Sequence, residues 1–306
     1  MLAWIVGAGG MLGSALAQRT RGTDTRLFAA SPVPWSDPAE ALATLVADLD
    51  RFRLEAAADR WVLIWAAGSS VVASDDAETA HELRLLEGLL TALAAWLPAG
   101  SGAVFLTSSA GGVYAGSSEP PFDEHTIPVP ISPYGELKLS QESSARRILS
   151  GQVPLVIGRF SNLYGADFNP SKGQGLIQQL CVASLRRRPL NLYVSMDTVR
   201  DYLFAEDAAA LAWVAVDDAV SRQPAEPIVA IIASGEPTTV SRVIATIENV
   251  THRRVPLALG THPSARRQVI DLRLVPSTDR LAGRTSTTPL PAGIKRVVDA
   301  IAGRVA

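Results

Sequence analysis

The chain has 306 residues, enough for one large domain or two ordinary ones with a buried core, and far beyond a small disulfide-stapled module. A formal charge of −2 from 28 basic and 30 acidic side chains excludes a polycationic surface for nucleic acid or anionic lipid. The single cysteine, Cys181, rules out an internal disulfide, and His81, His125, His252 and His262 are scattered, so the expectation is a metal-free protein of the reducing cytoplasm with a small-molecule partner.

The first eighteen residues carry no charge and end near Ala15-Leu16-Ala17, which imitates a secretory cleavage site. A secretory signal would place Lys or Arg before its apolar stretch, whereas the first basic residue is Arg19, and four glycines break any transmembrane run. No membrane partner is expected. Leu2–Val6 instead has the pattern of a buried parallel strand, and Met11–Arg19 that of a helix. The intervening Gly7-Ala8-Gly9-Gly10-Met11-Leu12-Gly13 lets the chain turn sharply and lets backbone amides approach a pyrophosphate at the helix start.

Strand-like runs follow at residues 25–29, 61–66, 103–107, 155–160 and 228–233, with helix-length stretches such as 80–96 between them. Alternation of this kind predicts an α/β, Rossmann-type doubly wound parallel sheet whose ligands sit at the carboxyl ends of the strands. Those ends carry Ala66-Ala67-Gly68, Ser108-Ser109 and Asn162. Trp61 and Trp65, alternating on one strand, are assigned to the core.

Ser132 and Pro133 form a helix start, which puts Tyr134 and Lys138 one turn apart on the same face. With five tyrosines and only Lys138, Lys172 and Lys295 in the chain, a Tyr-x-x-x-Lys pair arises by chance about 0.05 times. A phenol ordinarily titrates near 10, and lowering it to about 7 takes roughly 4 kcal/mol, within reach of a nearby ammonium together with an oxidised nicotinamide ring. Tyr134 is thereby a candidate general base, with a serine hydroxyl from the neighbouring strand end stabilising charge on the substrate oxygen.

In order along the chain stand Gly7-x-x-Gly10-x-x-Gly13, Asp48-Leu49, Ala66-Ala67-Gly68 where a fourth strand is expected to end, Ser108-Ser109-Ala110 leading to Val113-Tyr114, Tyr134-x-x-x-Lys138, Arg159 to Gly165, and Arg200-Asp201-Tyr202-Leu203-Phe204. This series resembles the extended short-chain dehydrogenase/reductase family, in its nucleotide-sugar epimerase/dehydratase branch. The resemblance implies cofactor contacts from Gly7, Gly10, Met11, Leu12, Gly13, Ala66, Ala67, Gly68 and Phe160, adenine contacts from Asp48 and Leu49, and a Lys138 that also holds the nicotinamide ribose. It further implies a substrate site at Ser109, Asn162 and Arg200, a homodimer through the helices near 80–96 and 134–149, and a Rossmann domain of residues 1–165 with returning segments near 199–235. Residues 166–198 and 236–306 then form a smaller, interleaved substrate-binding lobe.

Two departures from the family pattern are informative. Both Gly111 and Gly112 separate Ser-Ser-Ala from Val-Tyr where relatives place one residue, which favours Ser109 as the catalytic hydroxyl with Ser108 the alternative. The same segment lacks the Asp-Glu pair that a sugar 4,6-dehydratase resembling this family would carry, which disfavours dehydration. The second strand ends in Ala29-Ala30-Ser31 with neither acid nor arginine, so Ser31 can meet a ribose or its 2′-phosphate, and both NAD and NADP stay open.

Three functions therefore compete: a nucleotide-sugar 4-epimerase working through a 4-keto intermediate, a one-way NAD(P)H-dependent 4-ketoreductase, and a non-catalytic NAD(P)-binding sensor or scaffold. Arg186-Arg187-Arg188 is read as a solvated helix end. Arg266 and Arg267 are a further place for a nucleotide-binding arginine.

Overall fold

A computed structural model of the chain describes residues 1–68, 70, 76–166, 175–260, 269–277 and 287–303. Residues 167–174 and the pair Arg266 and Arg267 lie outside these. In chain order the amino-terminal elements are β1 (Leu2–Val6), α1 (Met11–Arg19), β2 (Arg26–Leu27), α2 (Pro38–Ala56), β3 (Trp61–Trp65), α3 (Asp76–Ala95), β4 (Gly102–Ser109), α4 (Ala110–Val113), α5 (Pro133–Leu149) and β5 (Leu155–Phe160). There follow β6 (Asn162–Tyr164), α6 (Leu176–Arg186), β7 (Leu190–Leu192), β8 (Val199–Phe204), α7 (Ala205–Arg222), β9 (Ile228–Ile232), β10 (Pro237–Thr239), α8 (Val240–Thr251), β11 (Leu257–Leu259) and α9 (Leu290–Gly303).

Six parallel strands form the main sheet in the order β2-β1-β3-β4-β5-β9. Its central strands β1, β3, β4 and β5 are buried on both faces because their side chains alternate between two cores. Leu2, Trp4, Val6, Trp61, Leu63 and Trp65 enter the core beneath α2, α3 and α5. Ala3, Ile5, Val62 and Ile64 enter the opposite core with residues of α1 and α7. The chain leaves β1 for β2 on one side and returns to β3 on the other, so the sheet's switch point, and with it the ligand crevice, lies beyond the carboxyl ends of β1 and β3.

Two expectations are corrected. The second strand pairs over only two residues, both exposed, and the chain then goes straight into α2. Asp37 caps that helix through the amides of Ala39 and Glu40, Pro38 occupies its first turn, and Ala41, Leu45, Leu49, Phe52 and Ala56 recur at helical spacing on its buried face. Asp48 and Leu49, expected at the adenine, therefore sit in mid-helix, Leu49 with no exposed surface. Ala66-Ala67-Gly68 consequently follows the third strand of the chain and not the fourth.

Of the segment 199–235, α7 packs on α1 and β9 joins the main sheet, but β8 pairs with β6 and β10 in a separate three-stranded sheet. The reason is local: only Ser161 separates β5 from β6, so the chain bends away from the main sheet there and β8, parallel to β6, is carried with it. That sheet and the β7/β11 pair, with α6, α8 and α9, enclose a third core around Tyr164, Leu180, Phe204, Ile247 and Val297.

Candidate functional site

The turn after β1 is built for close approach. Gly7 has a φ of +93°, and a Cβ there would lie 2.6 Å from the Ala67 backbone. A Cβ at Gly13, in the first turn of α1, would overlap the Gly7 carbonyl oxygen. The main chains after β1 and β3 thus touch at the switch point, where the Ala66 amide donates to the Val6 carbonyl. Gly10 begins α1 without a side-chain cap, and residues 8–10 are exposed, so the helix start faces outward with its amides available to an anion. This open, Cβ-free cradle fits the pyrophosphate of a dinucleotide.

Ser109, Tyr134 and Lys138 line one cavity of about 810 Å³ together with Leu12, Ala66, Ala67 and Gly68. Ser132 caps α5 by accepting from the Gly135 amide, and Pro133 takes the first helical position, which places Tyr134 and Lys138 four residues apart on one face. The Lys138 Nζ is 5.7 Å from the centre of the Tyr134 ring. The additional glycine of the Ala110-Gly111-Gly112 segment has a packing role: a Cβ at Gly112 would press on Tyr134 at 3.1 Å, and one at Gly135 would overlap the Gly112 carbonyl. Small residues let α4 seat directly against the start of α5.

The two serines differ in surroundings. Ser109 accepts the Gly112 amide as the cap of α4, leaving its hydroxyl proton to donate into the cavity. Ser108 donates to Glu142 at 2.6 Å in the interior. Glu142 also takes two hydrogen bonds from Arg159, at 2.9 and 2.6 Å, and Arg159 donates to the Tyr114 hydroxyl, which donates onward to the Asp123 carbonyl. This buried, mutually satisfied network underlies the carboxyl end of β4.

The same cavity reaches Phe160, Asn162, Gln178, Arg200 and Tyr202. Asn162 donates to the Asp201 carbonyl at 3.2 Å, and Arg200 donates to the Val199 carbonyl at 2.8 Å, with burial drawing its guanidinium below the usual range. Burial pushes the phenols of Tyr164 and Tyr202 up, the latter to about 12, so neither acts as a base near neutral pH. Gln178, which sequence reasoning did not single out, is 1% exposed with both amide atoms unpaired at the cavity wall. Among the described residues no Asp, Glu, His or Cys lines the cavity, and no group of them is placed to hold a metal.

Ser31, expected near the adenosine ribose, is away from this cavity wall and tied to α2. Its amide and hydroxyl donate to Asp48 at 2.6 and 2.9 Å. Arg51 donates to Asp48, to the Ser31 hydroxyl and to the Ala29 carbonyl, and stacks over Phe28. The arginine absent from the strand end in sequence is supplied there by the neighbouring helix.

The NAD dependent epimerase/dehydratase family model matches residues 3–230. A UDP-glucose 4-epimerase of Azospirillum brasilense is 31% identical over 214 residues, 65% of this chain and 60% of the relative; the chain thus spans less than two thirds of that relative's length. Among solved structures, UDP-glucose 4-epimerase of Thermotoga maritima with UDP-glucose superimposes with a TM-score of 0.81 at 19% identity over 100% of both chains. The Thermus thermophilus UDP-glucose 4-epimerase in complex with NAD gives 0.78 at 19% identity over 99% of both. At these identities the likeness is one of fold.

Proposed function

Because the chain belongs to the NAD dependent epimerase/dehydratase family, we propose that it is an NAD-dependent 4-epimerase of a nucleotide-activated sugar. The observation that carries this reading is the meeting of Ser109, Tyr134 and Lys138 with Asn162 and Arg200 in one cavity whose described lining holds no carboxylate. A 4,6-elimination needs carboxyl groups at the reacting carbons, and the wall offers Ala115, Gly111 and Gly112 beside the base.

Gly7, Gly10, Met11, Leu12 and Gly13 hold the pyrophosphate, and Ala66, Ala67, Gly68 and Lys138 flank the nicotinamide riboside. NAD, when bound, supplies reversible hydride chemistry at C4 of the sugar. Tyr134 takes the proton of the C4 hydroxyl as the C4–H leaves with its electron pair, giving a 4-keto sugar. Ser109 donates to the same oxygen in both directions. With the sugar's other face presented, hydride would return to C4 from the same cofactor, and Tyr134 gives the proton back to the oxygen. Arg200 binds the substrate's diphosphate or nucleoside region with Asn162.

Arg51 favours a second reading. A guanidinium beside Ser31 suits a ribose 2′-phosphate, as a one-way 4-ketoreductase using NADPH would require. Stoichiometry separates the two. The purified protein is expected to interconvert 4-epimeric UDP- or dTDP-sugars with no added reductant, and oxidation of NADPH mole for mole with a 4-keto sugar would overturn the epimerase. Tyr134→Phe is expected to lower kcat by about 10²- to 10⁴-fold while sparing NAD binding; an active Phe variant removes Tyr134 as the base, and a parent that binds NAD but turns over neither substrate favours a non-catalytic dinucleotide-binding protein.

A further inference from the structure

Lys138 is not a free cation. Its Nζ donates to Glu82 Oε1 at 3.2 Å and to Gln141 Oε1 at 3.0 Å, while Gln141 Nε2 donates to the same Glu82 oxygen at 3.1 Å. The three form a closed triangle between α3 and α5, with both charged side chains less than a tenth exposed. The Ser70 amide reaches the second Glu82 oxygen at 3.4 Å. A Cβ at Gly68 would lie 2.8 Å from Glu82, so the glycine after β3 makes room for this carboxylate. Two of the three N–H donors of Lys138 are committed, and one is left for a ligand.

We propose that Glu82 is a positioning residue that holds the Lys138 ammonium in one place and offsets its charge, so that an ion pair, rather than a lone lysine, sets the pH at which Tyr134 ionises. The proposal rests on the reading of Tyr134 and Lys138 as the base and its cation. A buried ammonium without a counter-charge is costly. Glu82 removes that cost and weakens the pull of Lys138 on the neighbouring phenol. Burial raises the Glu82 carboxyl, but the Lys138 charge and hydrogen bonds from Gln141, Lys138 and Ser70 outweigh it and hold the group below its usual range, so it stays a carboxylate.

Other charges around the pair are accounted for. On α3, Glu78 and Arg84 are exposed, His81 keeps its Nδ1 unpaired, and Glu87 bonds Ser144 and Arg147 of α5. Glu142 on α5 is closed off with Arg159 of β5 and Tyr114, while Glu136 and Arg147 of α5 are exposed and Arg146 is half-buried; on α2 Asp48 pairs with Arg51, Asp50 with Arg53 and Glu55 with Arg26, and Glu40 is exposed. Neither β3, β4 nor α4 carries a titratable side chain.

The measurement is a tyrosinate absorbance titration, with Tyr134 isolated as the difference between each protein and the same protein carrying Tyr134→Phe, because the chain has five tyrosines. Glu82→Gln keeps the shape and, through its amide oxygen, the bonds from Lys138 and Gln141, gives up the long bond from the Ser70 amide, and drops the charge; it is expected to move the Tyr134 midpoint down by about one pH unit. Gln141→Glu adds a second carboxylate and is expected to move it up by a similar amount, which keeps the test decisive if Glu82→Gln does not fold. The double variant Glu82→Gln/Gln141→Glu restores one carboxylate beside Nζ and should return the midpoint to the wild-type value. A midpoint unmoved in folded single variants overturns the proposal. Because the titration needs no substrate, it stands or falls separately from the sugar chemistry, which the stoichiometry experiment tests.

Discussion

Ser108 and Ser109 are adjacent on β4 and both line the cavity, yet their hydroxyls meet different demands: that of Ser108 donates to buried Glu142, whereas that of Ser109 accepts the Gly112 amide and keeps its proton free to donate. The pleat separates the two roles, because successive side chains of a strand leave on opposite faces. Ser109→Ala is expected to lower kcat by about 10²-fold with little change in melting temperature, since a donor to the developing oxyanion is lost. Ser108→Ala should do the reverse, costing about 1.5–3 kcal/mol of stability through a lost hydrogen bond to a charged group. Paired kcat and thermal-unfolding measurements on both variants decide the assignment, and a kcat collapse confined to Ser108→Ala exchanges their roles.

The glycine turn gives a second prediction. A methyl group at position 13 would overlap the Gly7 carbonyl oxygen, which is backbone and cannot swing aside. Gly13→Ala must therefore displace α1 from the turn, at a cost of about 1–3 kcal/mol. NAD affinity, read by calorimetry, is expected to fall at least tenfold. Gly9→Ala is the control, because a Cβ there meets nothing within 4 Å, and it should bind NAD nearly as the parent does.

Legibility in the sequence divides along physical lines. Leu2–Val6, the glycine turn and the Tyr134/Lys138 helix are legible because each is decided by neighbours in sequence: an apolar run, missing Cβ atoms, a Ser-Pro start. The helix around Asp48-Leu49 is legible too but passed over: its signal, an Asp37-Pro38 start followed by apolar residues at 41, 45, 49, 52 and 56, is long and local, whereas the resemblance there rests on two residues. Glu82, Gln178 and Arg51 are invisible for a different reason. A charge or amide on an amphipathic helix looks solvated until the partner helix or the cavity wall is known, and Glu82 meets Lys138 across 56 residues.

Stability should depend on pH through Glu124. Burial raises this carboxyl, but the Ser277 hydroxyl and the amides of Ile231 and Ser277 more than compensate and hold it below the ordinary 4.5. It thereby joins the end of the chain's residue 269–277 segment to β9. A carboxyl depressed in the folded state is protonated first in the unfolded one, so its contribution is complete above 4.5 and disappears as pH falls through the folded value. The melting temperature is expected to drop as pH is lowered below about 4.5, and Glu124→Gln should be less stable at neutral pH but flatter across that acidic window. Parallel curves for the two proteins would remove Glu124 as the cause.

Gln178 sets stability against binding. Its amide is 1% exposed with neither nitrogen nor oxygen paired, and it lines the cavity that Asn162 and Arg200 share. An unpaired buried amide costs about 1–3 kcal/mol, which a fold retains only where something else repays it. A ligand offering one donor and one acceptor would complete both atoms. Gln178→Met preserves the length of the side chain and removes the unpaired groups, so the free protein should melt several degrees higher. Binding should move the other way, with the affinity for the nucleotide sugar falling about tenfold for roughly 1.4 kcal/mol of lost hydrogen bonding. Thermal unfolding and calorimetric titration on one preparation read both quantities, and a stabilised variant with unchanged affinity would show that the amide does not contact the substrate.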